Sequence, residues 1–393
     1  MEAFTDQQQL ALDIIPRITG MMSMLGSLFV MYQVLKNPQK RTMAYHLQML
    51  ALSCADFLYS LSWFIYNWPA PDSGWCTANG FILLLSGTPE AMFNAGVCVY
   101  YLFFVYFEWS EEKILRYQRV FIIFPIIWGL ISSILPLAQG MINPSPGTGK
   151  CWIVPTPEGC SGSECTPDEH YYHLYRFVFV LIPLWISFGV AGISMCFVYF
   201  KASRDEEEYK DKKAPAGWLW FVQKEEGQDV SRQMRSRRMA RQAFWYLLNF
   251  FMTYVGITVV RIMQAFGGAA PFGLWCFAWI FGPWQGFWNA VIYVRPRFIR
   301  NREKNPEMSI WQAIMTEDEY DHRLGARAMR STVAPTAPNF SASFFGSVFH
   351  KSNQAKDIAD AVAADNEEGG MEQEVVDNVK LAPAVEEEKN EEA

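Results

Sequence analysis

The chain has 393 residues, of which 51% are hydrophobic and 16% aromatic, including 30 Phe and 15 Trp. Its mean hydropathy of +0.02 averages two unlike parts. Residues 14–294 are dominated by long apolar runs, while residues 295–393 are polar and finally acidic. The formal charge of −7 belongs mostly to that tail, where thirteen acids from Asp357 onward meet only Lys380 and Lys389. Such a balance gives no basis for a nucleic-acid partner, and none is expected.

In chain order, seven runs are long enough to cross a bilayer, which takes about 20 mostly apolar residues. They are Ile14–Leu35, Met43–Trp63, Phe81–Phe107, Val120–Ala138, Tyr175–Phe200, Phe244–Phe266 and Phe272–Val294. One such run is compatible with a buried helix of a soluble protein; seven in succession are not. The segment ahead of the first, "MEAFTDQQQL", lacks a basic n-region, so the first span is expected to be its own insertion signal.

The links between runs alternate in charge. Lys36, Lys40 and Arg41, then Lys113, Arg116 and Arg119, then the region from Lys201 to Arg241, then Arg295, Arg297, Arg300 and Arg302 fall on one side. The other side carries Lys150 alone among its three links. Positive-inside bias therefore predicts an extracellular N-terminus, a cytoplasmic C-terminus and a multi-pass plasma-membrane location.

That topology sorts the eight cysteines. Cys54, Cys98, Cys196 and Cys276 lie within runs, where a reduced packed thiol is the default. Cys76, Cys151, Cys160 and Cys165 fall on the predicted outer face, which permits disulfides. Spacing does not fix connectivity. Cys76–Cys151 is the favoured bridge, pinning the long outer loop across the mouth of the bundle, and Cys160–Cys165 is a second option within that loop.

Polar residues inside a bilayer are costly and so mark function or helix pairing. Asp56 lies about 20 Å along run two, and Glu90 about 20 Å along run three from Cys76, at 1.5 Å per residue. If their helices are neighbours, one carboxyl is protonated or a cation sits between them. Asn94 is one turn beyond Glu90, and Gln285, Asn289 and Tyr293 lie on run seven. Arg261 and Arg176 stand near the predicted outer ends of runs six and five. Each fits either an anionic ligand group or snorkelling to the interface. Trp152 and Trp275 fit either a ligand pocket or an interfacial aromatic belt.

On the predicted inner side, "SRQMRSRRMARQ" spaces Arg232, Arg235, Arg238 and Arg241 three apart along one slowly rotating helical face. It reads as a partner-docking surface or a positive-inside anchor. Residues 214–222, "APAGWLWFV", form an unexplained apolar patch in a charged link. Beyond run seven, "RPRFIRNREK" and "SIWQAIMTEDEYD" read as short amphipathic helices, with Trp311, Ile314 and Met315 on one face toward membrane lipid. Past them the composition is that of a disordered chain, with phosphorylatable Ser and Thr upstream of the acids.

The expected fold class is all-α: a polytopic membrane protein with a seven-transmembrane helix bundle, a short juxtamembrane helix and a disordered tail. Residues 1–13 form a short extracellular N-terminus and 14–294 the bundle. Residues 295–320 supply juxtamembrane amphipathic helices, and 321–393 an acidic cytoplasmic tail.

Seven spans with a cysteine at the outer start of run three and another in the second outer loop look like a G-protein-coupled receptor. The closing "WQGFWNAVIY" resembles the Gln-Gly-x-x-Asn-x-x-x-Tyr pattern of the cyclic-AMP-receptor-like family, to which the secretin/adhesion receptors are related. Gln285, Gly286, Asn289 and Tyr293 carry the match, with Gly26-Ser27, Asp56 and Trp128 as further matching features. Departures disfavour a rhodopsin-like receptor: run three ends "VYFEWSEE", run six lacks Cys-Trp-x-Pro, and Ala290 follows Asn289. Run seven contains no Lys for a retinal Schiff base. The resemblance implies an extracellular ligand, small and anionic, and no cofactor. It also implies a heterotrimeric G protein docked among Arg232–Arg241, Arg116 and the base of run seven, with kinase and arrestin-like partners at the tail. The alternative is a seven-span transporter or channel in which Asp56 and Glu90 carry an ion or proton. Internal repeats typical of transporters are lacking. No metal-ligand cluster or nucleophile constellation points to an enzyme.

Overall fold

The computed structural model describes residues 5–65, 68, 74–145, 150–154, 169–212, 226–265 and 268–316, with backbone alone for 169–170, 172, 206–212, 226–238 and 264–265. Cys160, Cys165, the 214–222 patch and the tail from 321 lie outside the described residues.

Helix α1 (Asp6–Lys36) starts two turns ahead of the apolar run. Thr5 caps it: the Gln8 amide N–H donates to Thr5 Oγ1, and Thr5 N–H donates to Gln8 Oε1. Its exposed stripe, Leu10, Ile14, Ile18, Met21, Leu25, Leu28, Tyr32 and Leu35, recurs every three or four residues. Its buried stripe is small or polar, with Thr19, Gly20, Ser23 and Ser27. An apolar outside around a small, polar inside is the arrangement of a helix whose solvent is lipid.

Helices α2 (Ala44–Ile65), α3 (Gly74–Tyr101, extended by a π-helical turn to Tyr106) and α4 (Glu111–Ala138) follow. A hairpin of β1 (Ile142–Pro144) and β2 (Cys151–Ile153) pairs antiparallel, Asn143 opposite Trp152. Next come α5 (Glu169–Arg176), a π-helical turn Phe177–Leu181 that joins it to α6 (Ile182–Lys212), and α7 (Glu226–Ala265). The chain then forms α8 (Phe272–Phe281), α9 (Gln285–Lys304) and α10 (Ile310–Met315).

Six of the described helical stretches are long and apolar enough to span a membrane, and α8 with the first half of α9 makes the seventh passage. Helix α3 is the pillar. It packs against α2, α4, α6 and α7, and 78% of its apolar window is buried against 28% for peripheral α4. The pairs α1 with α2 and α1 with α9 close the ring. The Cys76–Cys151 disulfide forms as expected and ties the start of α3 to β2.

The seventh passage is broken at Gly282-Pro283-Trp284, at the point where Pro283 and Gly286 lead one to expect a bend in run seven. Its end departs from the sequence reading. Helix α9 runs straight through Pro296, so "RPRFIRNREK" is its last turns and not a separate amphipathic helix. The Arg297 guanidinium donates to Gln33 Oε1 of α1 at 3.1 Å, anchoring the helix just past the proline. Helix α10 packs its buried Ala313 against α9, where Asn301 Nδ2 donates to Ala313 O (2.9 Å). Ile310 and Trp311 stay exposed.

Candidate functional site

At mid-bundle one amide side chain joins three helices. Asn289 of α9 donates through Nδ2 to Asp56 Oδ2 of α2 at 2.8 Å, and its Oδ1 accepts from Asn249 Nδ2 of α7 at 2.9 Å. The Asn249 amide also lies 3.5 Å from Gln285 O, and Thr253 Oγ1 donates to Asn249 O. Asp56, Glu90 and Asn289 are fully buried. The carboxyl of Glu90, on α3, lies against that of Asp56, with the Tyr254 hydroxyl beside it. Two carboxylates side by side in a low-dielectric interior repel, and one positive charge, a proton or a metal cation, cancels that repulsion. Asn94 Nδ2 turns back to Glu90 O at 3.0 Å, and the Gln285 side-chain amide is buried one turn before Asn289. Among the described residues no group of three or more metal-ligating side chains is assembled.

Beside this layer, the break in the seventh passage is held by serines. Gly286 N–H donates to Ser23 Oγ of α1 at 2.9 Å. Ser60 Oγ of α2 donates to Ser23 Oγ at 2.7 Å and lies 3.3 Å from Pro283 O. Side chains from α1 and α2 thus supply partners that the interrupted helix withholds, as a non-helical segment at membrane depth requires. Gly286 also lets the helices meet: a Cβ there would come within 2.9 Å of Ser23 O.

Toward the α10 end, the Tyr293 hydroxyl lies 3.0 Å from His46 Nδ1, so it belongs to a second polar layer rather than to the Asn289 cluster. Gln242 Nε2 donates to Tyr45 OH (2.9 Å), which lies 3.0 Å from Tyr246 OH. Arg116 on α4 and Arg241 on α7 are exposed. Arg232, Arg235 and Arg238 lie on the α7 backbone ahead of Arg241, and their side chains lie outside the description.

At the hairpin end, aromatic rings and cations converge. Trp275, Trp279 and Trp63 pack edge to face, with centroids 4.8 and 4.9 Å apart. Lys150, next to the disulfide, is only 6% exposed, and its Nζ sits 2.8 Å from the Trp63 ring centroid. The Arg261 guanidinium of α7 lies 5.7 Å from the Trp152 centroid, and Arg176 Nε of α5 donates to Ile153 O at 2.8 Å. Lys150 and Arg261 are close enough to feel each other's charge, as are Arg261 and Arg176. Burial first, and Arg261 second, hold the Lys150 amine well below the ordinary lysine range.

Sequence reasoning passed over Asn249, Lys150, Ser23 and Ser60. Asn249 was visible as a polar residue in run six, and Lys150 as the lone cation of its side; the serines carried no signal without knowledge of their neighbours.

No protein-family model matches the chain, and no curated protein matches it. Among solved structures, the crystal structure of squid rhodopsin superposes with a TM-score of 0.54 at 16% identity, over 86% of this chain and 95% of that one. The chain therefore has a seven-helix fold of the G-protein-coupled-receptor type, and is an all-α, multi-pass membrane protein.

Proposed function

We propose that this chain is a cell-surface receptor that turns an extracellular ligand signal into heterotrimeric G-protein activation, in the manner of the cyclic-AMP-receptor-like family it resembles. The observation that carries the reading is the Asn249–Asn289–Asp56 chain, which couples α7, α9 and α2 at the level of a broken seventh passage. Two packings of such a joint are what a ligand can bias, and only its differential affinity for them does so. In this reading the hairpin end faces outward and receives a small anion near Arg261, Arg176, Trp152 and Trp275. The α10 end faces the cytoplasm, with the G protein on Arg116 and the Arg232–Arg241 face; the tail recruits kinase and arrestin-like proteins.

The test is a panel of small anions, cyclic AMP among them, read by nucleotide exchange on co-reconstituted G proteins. Saturable, ligand-dependent exchange is expected. Exchange that no ligand moves would sink the reading.

The adjacent Asp56 and Glu90 carboxyls specifically favour a second reading, a seven-span ion or proton carrier. Ion flux into protein-loaded liposomes, abolished by Asp56→Asn, is its signature.

A further inference from the structure

Near the α10 end, α7 and α9 each turn a stripe of exposed or half-buried side chains away from the bundle. On α7 it runs through Arg241, Trp245 and Leu248, and on α9 through Trp288, Val291 and Arg295, at helical spacing. The stripes meet where the Arg295 guanidinium carbon lies 5.8 Å from the Trp245 ring centroid. Arg241 stands one turn before Trp245 on the same face of α7. We propose that Arg241 and Arg295 hold the headgroup of an anionic phospholipid seated across α7 and α9, an assignment that rests on the seven-helix membrane fold and not on the receptor reading.

Depth favours a headgroup at this place. Arg241 precedes the apolar run Phe244–Phe266 by three residues, and Arg295 directly follows the run Phe272–Val294. Both guanidinia therefore stand at the same boundary of the hydrocarbon, at the level of lipid phosphates. Leu248 and Val291, further along the same stripes, are exposed and so face acyl chains.

The two arginines also differ from other cations at this end. Lys201 pairs with Glu108 and Asp205, each at 3.3 Å. Arg297 donates to Gln33 Oε1 at 3.1 Å, and Arg302 donates to Pro306 O at 2.8 Å. Among the described residues, Arg241 makes no hydrogen bond or ion pair, and Arg295 makes the ring contact alone. Along α9 the next carboxylate, Glu303, is eight residues on, about 12 Å away. A guanidinium fork matches phosphate oxygens bidentately. An anionic headgroup compensates both charges, whereas phosphatidylcholine brings a quaternary ammonium of its own.

Such a lipid bears on the polar joint. Trp245 is one turn from Asn249, and Arg295 is six residues from Asn289, so the headgroup clamps the seam that carries their 2.9 Å hydrogen bond. It favours the present packing of α7 on α9 over one in which they part.

The test uses the full chain in nanodiscs of equal phosphatidylserine and phosphatidylcholine, with retained lipid counted by native mass spectrometry after release. The wild-type chain is expected to keep phosphatidylserine over phosphatidylcholine by about twentyfold, with about fivefold from each arginine. Arg241→Gln and Arg295→Gln should each lower the preference about fivefold, and the double variant should come near parity. Arg241 is exposed, so its substitution leaves the bundle interior untouched. Arg116→Gln with Arg119→Gln removes two exposed cations from α4, neither of which reaches a second helix among the described residues. That variant should keep the preference. An equal loss in the α4 variant would reveal a diffuse positive surface and overturn the site. Parity in the wild type, or an unchanged preference in the α7 and α9 double variant, overturns it as well.

Discussion

Asn289 uses both ends of its amide, donating to Asp56 and accepting from Asn249, so no single substitute reproduces it. Asn289→Ala strips Asp56 Oδ2 of its donor and Asn249 of its acceptor in a buried site. Each orphaned group costs about 1–3 kcal/mol. Ligand-driven nucleotide exchange is expected to fall by about tenfold or more, with surface expression largely kept. Exchange at the wild-type level would separate this residue from the switch.

At the scale of elements, the hinge in the seventh passage is the feature most exposed to test. Gly286→Ala brings a methyl up to the Ser23 carbonyl, a backbone atom that cannot step aside, as well as to the Ser23 and Ser27 hydroxyls. Overpacking of this kind costs about 1–3 kcal/mol. The variant should melt at a lower temperature, and restoring space with Ser27→Gly should recover part of the loss. Unchanged melting in Gly286→Ala would mean that α1 and α9 are not locked at this joint. This element also shows what the sequence could and could not reveal. Seven apolar runs, the polar residues within them and the side of each cysteine were legible, because hydropathy and charge are local properties. Pro283 and Gly286 were visible as irregularities, yet a break needs partners, and Ser23 and Ser60 are unremarkable until α1 and α2 lie beside it. Pro296 misled for the same reason. A proline reads as a boundary, but α9 keeps its course because Arg297 and Asn301 fasten its last turns to α1 and α10. Lys150 looked like an isolated loop charge, since only folding sets it over Trp63 and beside Arg261.

For the whole molecule, the disulfide decides whether the two ends of the bundle act as one device. Cys76 and Cys151 are 75 residues apart. In a soluble chain, closing so long a loop stabilises by about 4 kcal/mol in the chain-entropy model. Here the reference state is different, because α3 and α4 are each satisfied in lipid on their own hydrogen bonds. Most of the constraint therefore falls on the hairpin rather than on the helices. Cys151→Ser should leave helical content and membrane insertion close to wild type, lower folding yield modestly, and release Lys150 and Trp152 from their places over the bundle. The expected signature is a split: circular dichroism unchanged, anion-induced stabilisation reduced about tenfold or more, and constitutive nucleotide exchange little altered. Loss of helical content together with ligand response would show instead that the bridge holds the bundle itself. A variant indistinguishable from wild type in all three would mean that the hairpin contributes nothing to signalling.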